Sequence, residues 1–274
     1  MLLLGVPGCG KSLSAKAVAA EWHMPLLKLD PSNLYNKYIG ESERNFKRAM
    51  RTAEKVAPVV LWIDELKKAF ATGGEDGGVS QPILGSFLTR MQDRKGDVFV
   101  VATANNISRL PAEFLRKGRF DEIFFVDLPD TATRGEIFRI HLASRGQDSS
   151  AFDPGILADA TTGFSGSEIE VVVVSSLYTA FSTSDELTMA LLLSEAEGTV
   201  PLSVSRAEHV EELRAWAREA GQLKRHPPWS TLVEYHPGVP SSRDGRDTLR
   251  DVVRRRVHQR RHRVGIELTG KRCQ

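Results

Sequence analysis

Along the first 130 residues, short unbroken apolar runs alternate with longer segments whose apolar positions recur at helical spacing. The runs cover residues 2–4, 26–29, 59–63, 98–101 and 123–126, each bounded by turn or charged residues. A strand covered on both faces of a parallel sheet needs such a run, because neither face has room for polar alternation. Between two of them, Phe46, Ala49, Met50 and Ala53 fall at i, i+3, i+4 and i+7. That spacing predicts a helix over 41–57 with one apolar face, ended by Pro58. The segment "LSAKAVAAEW", residues 13–22, is likewise helix-competent.

Strands alternating with helices predict an α/β fold. The expected core is a doubly wound, three-layer parallel sheet over residues 1–130 with ligands at the carboxyl ends of its strands. After "VDLPDTAT" the strand pattern stops. Residues 133–143 read as a helix. "SGSE" at 165–168 has the spacing of a capping box opening another, along which Ile169, Val172, Val173, Ser176, Leu177 and Ala180 share a face. The valines 171–174 alone would favour a strand, and the capping box decides for a helix. A further helix is expected over 209–220 with Gly221 as its C-cap. An all-helical second domain is therefore expected over 131–221. Residues 222–274 are rich in turn formers and carry "RRRVHQRRHR", which reads as a basic, solvated, poorly ordered tail.

Composition narrows the classes of function. At 274 residues and 41% hydrophobic content the chain has enough apolar side chains for a sizeable core. No apolar run approaches the ~20 residues of a membrane span, and the first residues lack the pattern of a signal peptide. The two cysteines, Cys9 and Cys273, do not make a disulfide framework and fit a reducing compartment. A cytoplasmic location is expected, or the stroma for a plastid-encoded chain. Seven histidines form neither a His-Glu-x-x-His helix nor a Cys/His cluster, so no zinc site is expected. The net charge of +2 combines a mildly acidic body with the basic tail. This is not the footprint of a nucleic-acid or membrane binder, and neither is an expected partner.

The candidate chemistry begins at "GVPGCGKS", residues 5–12, where Gly5, Gly10, Lys11 and Ser12 fit G-x-x-x-x-G-K-[ST]. Glycines let successive backbone N–H groups curl around phosphate oxygens, and the helix start that follows adds its positive end. Gly5, Pro7, Gly8, Cys9, Gly10, Lys11, Ser12 and Leu13 are expected to surround a nucleotide phosphate. Lys11 would reach the terminal phosphates and the Ser12 hydroxyl would ligate Mg²⁺. Cys9 is read as contributing its backbone N–H rather than a redox thiol. An acid at the end of a nearby strand is also needed, and "VVLWIDE" delivers Asp64 and Glu65 there. Asp64 can hold the Mg²⁺ shell and Glu65 can polarise a water for in-line attack on the γ-phosphate of ATP.

Together, "GVPGCGKS", "LWIDE", "VVATANN" and "LRKGRFDE" resemble the AAA ATPases, in the clade with a second region of homology. More narrowly, "GCGKSLSAKAVAAEW", "ATANNISRLPAEFLRKGRFDEIFFVDLP" and "GFSGSEIE" followed by "TVPLS" resemble the AAA-domain group found in cyanobacteria, algal plastid genomes and various bacteria. The resemblance covers about residues 1–220 and leaves the tail outside. It implies a P-loop NTPase core followed by a helical lid, with ATP and Mg²⁺ as ligands and ATP hydrolysis as the activity. It implies that Asn105 is a polar sensor that positions the attacking water, a role suited to an amide at a strand end. Arg116 and Arg119 match arginine fingers that act on the nucleotide of the adjacent subunit, which implies a homo-oligomeric, hexameric ring. His141, Gly166 and Ser167 fall where the lid meets adenine and ribose, although His141 could equally be a packed core histidine.

"KYIGESE" resembles the first pore loop of AAA translocases. There Tyr38, Ile39 and Gly40 would grip an extended polypeptide, while the plain alternative is an ordinary loop aromatic at Tyr38. The glycine-rich residues 72–81 fall in the place of the second pore loop. Lys67 stands where the family has a second acid. The chain also begins on the P-loop strand, where the family carries a preceding segment that helps cradle adenine, so an N-terminally truncated member is expected. The function these features imply is a ring-forming motor or remodelling factor acting on a protein substrate. A nucleotide-dependent assembly switch or scaffold without translocation is the alternative. A small-molecule kinase is disfavoured, because "ATANN" and "LRKGRF" have no role in one.

Overall fold

The five apolar runs are the five principal strands of one sheet in the computed structural model. It describes residues 1–29, 39–66, 85, 87–89, 91, 97–106, 110, 112–115, 119–219 and 224–225. All of these lie in the first of two units, Met1–Leu232 and Val233–Gln274. The strands are β1 Leu2–Gly5, β2 Leu26–Leu29, β3 Val59–Ile63, β4 Val98–Ala104 and β5 Ile123–Val126. With a two-residue sixth strand, β6 Lys224–Arg225, they stand in the order β2-β3-β4-β1-β5-β6. Every pairing is parallel. Each residue of β1 and β3 is buried, as a continuous apolar run requires. β2 departs from that expectation, leaving Leu26 exposed, because it has a partner on one side only among the described strands.

Helix α1, Lys11–Glu21, follows the glycine loop, and α2 runs Ile39–Lys55, two residues earlier at each end than the spacing predicts. The predicted face of α2 is the buried one: Phe46, Met50 and Ala53 lie in the same core as Leu2, Leu4, Leu61, Ile63 and Val100. Phe46 stacks towards Phe87, and Phe87 towards Phe114, with ring centroids 5.4 and 5.6 Å apart. Such tilted and edge-on ring pairs fill volume while matching quadrupoles.

Beyond β5 the backbone is helical: α3 Thr131–Ala143, α4 Pro154–Ala160, α5 Gly166–Thr183, α6 Met189–Glu197, α7 Leu202–Ser205 and α8 Ala207–Glu219. Asp130 caps α3 by accepting the Thr133 N–H at 2.8 Å. The capping box of α5 is closed in both directions, Ser165 N–H to Glu168 Oε2 at 2.7 Å and Glu168 N–H to Ser165 Oγ at 3.4 Å. Of its valines, Val172 and Val173 are buried and Val171 is exposed, a helical and not an alternating pattern. Periodicity did not give α4, α6 or α7, which are too short for three apolar turns. These helices enclose a second core of Phe138, Leu142, Leu157, Phe164, Ile169 and Leu192. The buried Arg134 crosslinks its backbone, donating to Ala158 O at 2.9 Å and Pro129 O at 3.0 Å.

Of the residues expected to form the tail, 224 and 225 are described. Lys224 and Arg225 pair in parallel with Phe124 and Phe125, because the exposed edge of β5 offers unpaired backbone groups. Gly221 and the rest of the expected tail lie outside the described residues. No described helix is long and apolar enough to cross a membrane.

Phe138 is fully buried in the second core, whereas Phe181 is 85% exposed on α5. Phe138→Ala is expected to cost about 3–5 kcal/mol, and Phe181→Ser to stay within about 0.5 kcal/mol. Urea unfolding of the two variants beside the parent chain checks both.

Candidate functional site

The glycine loop is pressed between β5 and the start of α5. Val6 N–H donates to Val126 O at 3.0 Å. A Cβ on Gly5, whose φ is +150°, would stand 2.0 Å from that same carbonyl oxygen. Gly8, at φ +76°, would drive a Cβ to 2.7 Å from Ser165 Oγ. A side chain at Gly5 would have to displace the β5 backbone, and one at Gly8 would meet the Ser165 side chain from a left-handed backbone that favours glycine. Gly8 O in turn accepts from Ser167 N–H at 3.0 Å and Ser167 Oγ at 3.3 Å, and Gly166 packs against the same carbonyl. The structure thus brings Gly166 and Ser167, 158 and 159 positions away from Gly8 in sequence, directly onto the loop.

Gly10 caps α1 in a left-handed conformation, which turns the first helical N–H groups towards the loop. Lys11 is 5% exposed and its ammonium donates to Gly5 O at 2.9 Å and Val6 O at 2.6 Å. Burial lowers it from 10.5 to about 8, against the opposing pull of Cys9, Asp64 and Glu65. The buried Cys9 thiol is pushed by desolvation up to about 12, so it stays protonated and unreactive at neutral pH. Its Sγ lies 3.7 Å from Pro7 O within the loop. Pro7 is half-buried, and Leu13 stands 60% exposed on the first turn of α1.

The acidic pair lies two strands away, across β4. Ser12 Oγ donates to Asp64 Oδ1 at 3.0 Å, and Thr103 Oγ1 donates to the same oxygen at 2.8 Å. Thr103 also accepts the Glu65 N–H on its hydroxyl at 2.9 Å and the Leu66 N–H on its carbonyl at 2.8 Å. Glu65 has φ +49°, a left-handed conformation that costs a non-glycine residue about 1–2 kcal/mol. The bonds to Thr103 hold the turn there. Asn105 Nδ2 donates to Glu65 Oε1 at 3.1 Å, so the amide expected to position the attacking water sits beside the carboxylate expected to polarise it. The Lys28 ammonium lies 3.8 Å from Asp64 Oδ2 and 4.5 Å over the Trp62 ring.

Ser12 and Asp64 present hard oxygen donors within hydrogen-bond reach of each other, a donor set that fits Mg²⁺. Among the described residues there is no cluster of three or more His, Cys, Asp or Glu that would hold a metal unaided. Mg²⁺ characteristically takes one or two protein ligands and completes its shell with water and phosphate.

Among the described residues, the other expected site positions make their contacts elsewhere. His141 is half-buried; its Nδ1 lies 3.0 Å from Arg145 Nη1, and Arg145 Nη2 donates to Glu170 Oε1 at 2.8 Å. Burial lowers the His141 pKa, helped by Arg145 and opposed by Glu170. These contacts place it in a polar network between α3 and α5, close to the packed-histidine alternative. Arg119 Nη1 donates to Leu88 O of its own chain at 2.9 Å. Ile39 and Gly40 form the first turn of α2 instead of a loop, because the helix starts earlier than its apolar face. Tyr38, Lys67, residues 72–81 and Arg116 lie outside the described residues.

Sequence reasoning missed Thr103 and Lys28. Thr103 reads as an ordinary strand residue in "VVATANN", and its only signal is that it stands two positions before Asn105, on the same face of the strand. Lys28 was legible as the one charge in the run 26–29.

A family profile for AAA, the ATPase family associated with various cellular activities, matches residues 1–128. The chain is 44% identical over 228 residues to the "Uncharacterized AAA domain-containing protein ycf46" of Guillardia theta, covering 82% of this chain and 45% of that protein. It is 44% identical over 220 residues to the protein of the same name in Pyropia yezoensis, covering 79% and 45%. It is 35% identical over 219 residues to human "ATPase family gene 2 protein homolog A", covering 78% and 24%. The chain spans about half the length of the ycf46 relatives.

The Lys11 shift gives a signed pH dependence. The unfolded chain binds the proton up to 10.5 and the folded chain only to about 8, so this group makes stability rise with pH between those values. From pH 8 to pH 9.5 the unfolding free energy of the parent chain should gain on the order of 1–2 kcal/mol relative to Lys11→Met. Chemical denaturation of both proteins without nucleotide checks it. Thr103→Val keeps the side-chain shape and removes the hydroxyl. It is expected to cost about 1–3 kcal/mol and to lower ATP turnover more than ATP affinity. Equilibrium unfolding and nucleotide titration read the two effects separately.

Proposed function

Residues 1–128 belong to the AAA family, and on that premise we propose that the chain binds and hydrolyses ATP as the motor part of a ring-forming protein-remodelling factor. Family membership supports ATP binding, and the finer reading rests on one observation. Ser12, Asp64, Thr103, Glu65 and Asn105 form one hydrogen-bonded row beside the buried Lys11.

Each residue in that row has a task its chemistry suits. Ser12 and Asp64 would hold Mg²⁺, which when bound would neutralise phosphate charge. The Lys11 ammonium, held by two carbonyl oxygens, is a donor that can be redirected to a terminal phosphate. Glu65 accepts a proton from an attacking water, and the Asn105 amide fixes the orientation of that carboxylate. The left-handed turn at Glu65 falls just past the end of β3, where its carboxylate meets Asn105. Assembly into a hexameric ring, with Arg116 and Arg119 completing a neighbour's site and Tyr38 gripping a polypeptide, belongs to the same proposal by its likeness to AAA translocases. The competing reading is an ATP-dependent assembly switch that threads nothing.

The test is Glu65→Gln beside Lys11→Ala. Glu65→Gln should bind ATP with near-parental affinity while turnover falls by about 10²–10⁴-fold, and Lys11→Ala should lose ATP binding. ATP turnover by Glu65→Gln at the parental rate would remove Glu65 from the mechanism. Sizing the Glu65→Gln protein with ATP reads the ring: a hexamer carrying captured polypeptide supports the motor, an empty assembly the switch, and a monomer overturns both.

A further inference from the structure

Helix α8 reaches the ends of the two strands that flank the one carrying the glycine loop. Its sequence, AEHVEELRAWARE, is largely charged, yet Val210 and Leu213 are buried and Trp216 packs against the sheet core. His209, Val210, Leu213, Arg214 and Trp216 recur at spacings of three and four and so share one face. Two polar contacts leave that face. His209 Nε2 lies 3.3 Å from Asn105 O, a carbonyl that can only accept, so this nitrogen carries the hydrogen. Its Nδ1 lies 3.7 Å from Glu212 Oε2. Arg214 Nε lies 3.0 Å from both carboxylate oxygens of Asp127, and its Nη2 lies 2.9 Å from Oδ1.

The positions of those two partners matter. Asn105 leaves the end of β4 and Asp127 leaves the end of β5, and these are the two strands that flank β1. Asn105 carries the amide on Glu65. Asp127 follows Val126, whose carbonyl receives the Val6 N–H and limits Gly5 to a bare backbone. One helix therefore touches both supports of the candidate site without touching the glycine loop through either contact.

We propose that α8 is a clamp on the nucleotide site, in which Arg214 sets the β5 end against which the glycine loop is seated and His209 sets the Asn105 backbone from which the amide reaches Glu65. Both are positioning residues. The proposal rests on the ATPase reading and deepens it, because it divides binding from turnover between the two contacts. The ion pair acts on the loop that holds phosphate, and the histidine acts on the residue beside the proton acceptor. About a third of each side chain of the pair is exposed, so solvent screening keeps the effect moderate.

The experiment is a binding and turnover comparison on the full chain, using a fluorescent ATP analogue and magnesium for Kd and ATP for kcat. Arg214→Ala and Asp127→Ala should each raise Kd about threefold to tenfold with kcat near the parental value. The charge-swapped pair Asp127→Arg with Arg214→Asp should recover part of the loss, as a direct contact requires. His209→Ala should lower kcat by a similar factor with Kd unchanged, and His209→Gln, which retains an N–H donor, should recover it. Hydrogen exchange supplies a readout independent of nucleotide: Arg214→Ala should quicken the amides of residues 126–128, and His209→Ala those of 104–106. If Arg214→Ala does not fold, Arg214→Lys, which keeps the charge without the planar fork, should show an intermediate Kd. Unchanged Kd, kcat and exchange overturn the clamp, as does loss without recovery in the swapped and glutamine variants. A parental chain that neither binds nor turns over ATP overturns the ATPase reading instead, and the exchange rates then decide the clamp alone.

Discussion

Asp64 must reach Ser12 across an intervening strand, and the hydroxyl of Thr103 is what makes that span work. In the order β3-β4-β1, the acid and the glycine loop belong to strands that are not neighbours. A bulky residue at the end of β4 would separate them, and a small apolar one would take the hydroxyl acceptor from the Glu65 N–H and leave Asp64 Oδ1 with Ser12 alone of its two hydroxyl donors. Thr103 is small enough to sit between and polar enough to bond both. Its hydroxyl donates to one acidic residue and accepts from the next, which uses its single hydrogen and one lone pair. Buried polar groups arranged this way are costly to leave half-satisfied, so the turn at the end of β3 is set by its neighbour rather than by its own backbone preference.

The same economy governs the charges. Lys11 is nearly inaccessible, a placement that would ordinarily expel or neutralise an ammonium. Two backbone carbonyls solvate it, and Asp64 and Glu65 favour its charged form from a distance. Cys9, two positions before it, faces the protein interior and is kept protonated, so it adds no second charge to the loop at neutral pH. Lys28 adds a positive charge beside the acids, its ammonium lying over the Trp62 ring and 3.8 Å from the carboxylate oxygen of Asp64 that the two hydroxyls do not use. The result is two ammonium groups and two carboxylates in formal balance beside the glycine loop.

What the chain declares in advance and what it conceals follow from the range of the interaction concerned. The strands, the face of α2 and the capping box of α5 are local patterns, and they appear in the structure within a few residues of where spacing puts them. Gly5, Lys11, Ser12, Asp64, Glu65 and Asn105 were legible as chemistry because a loop or a strand end fixes each one's direction. Thr103 was not, because threonine at that point satisfies a strand's steric preference and its second use depends on the pairing of β3 with β4. Arg214 and Asp127 are 87 positions apart, and nothing in a helix of alternating charges marks which arginine is spent on a distant acid. The start of α2 was misjudged for a related reason: apolar periodicity reports where a helix is buried, and the first turn of this one precedes its buried face. Lys224 and Arg225 look like tail because charge dominates their composition, whereas what orders them is the open edge of β5.

Two cores meeting at one loop explain why so much of the helical region's order is spent close to the glycines. The sheet core would be complete without α5, yet Gly8 gives its carbonyl to the Ser167 N–H and yields the space of a side chain to Ser165. The helix offers its first-turn donors to a carbonyl of the loop, so two helix N-termini, those of α1 and α5, converge on one short stretch of backbone. Each carries the partial positive charge of a helix N-terminus. A loop seated between them is biased towards anions before any side chain is counted. The connection Asp127 to Asp130 is correspondingly restrained: Asp130 caps α3, Arg134 holds Pro129 O, and Asp127 is held by Arg214. A segment fixed at both ends in this way ties the start of the helical region to the end of β5, where the loop is seated.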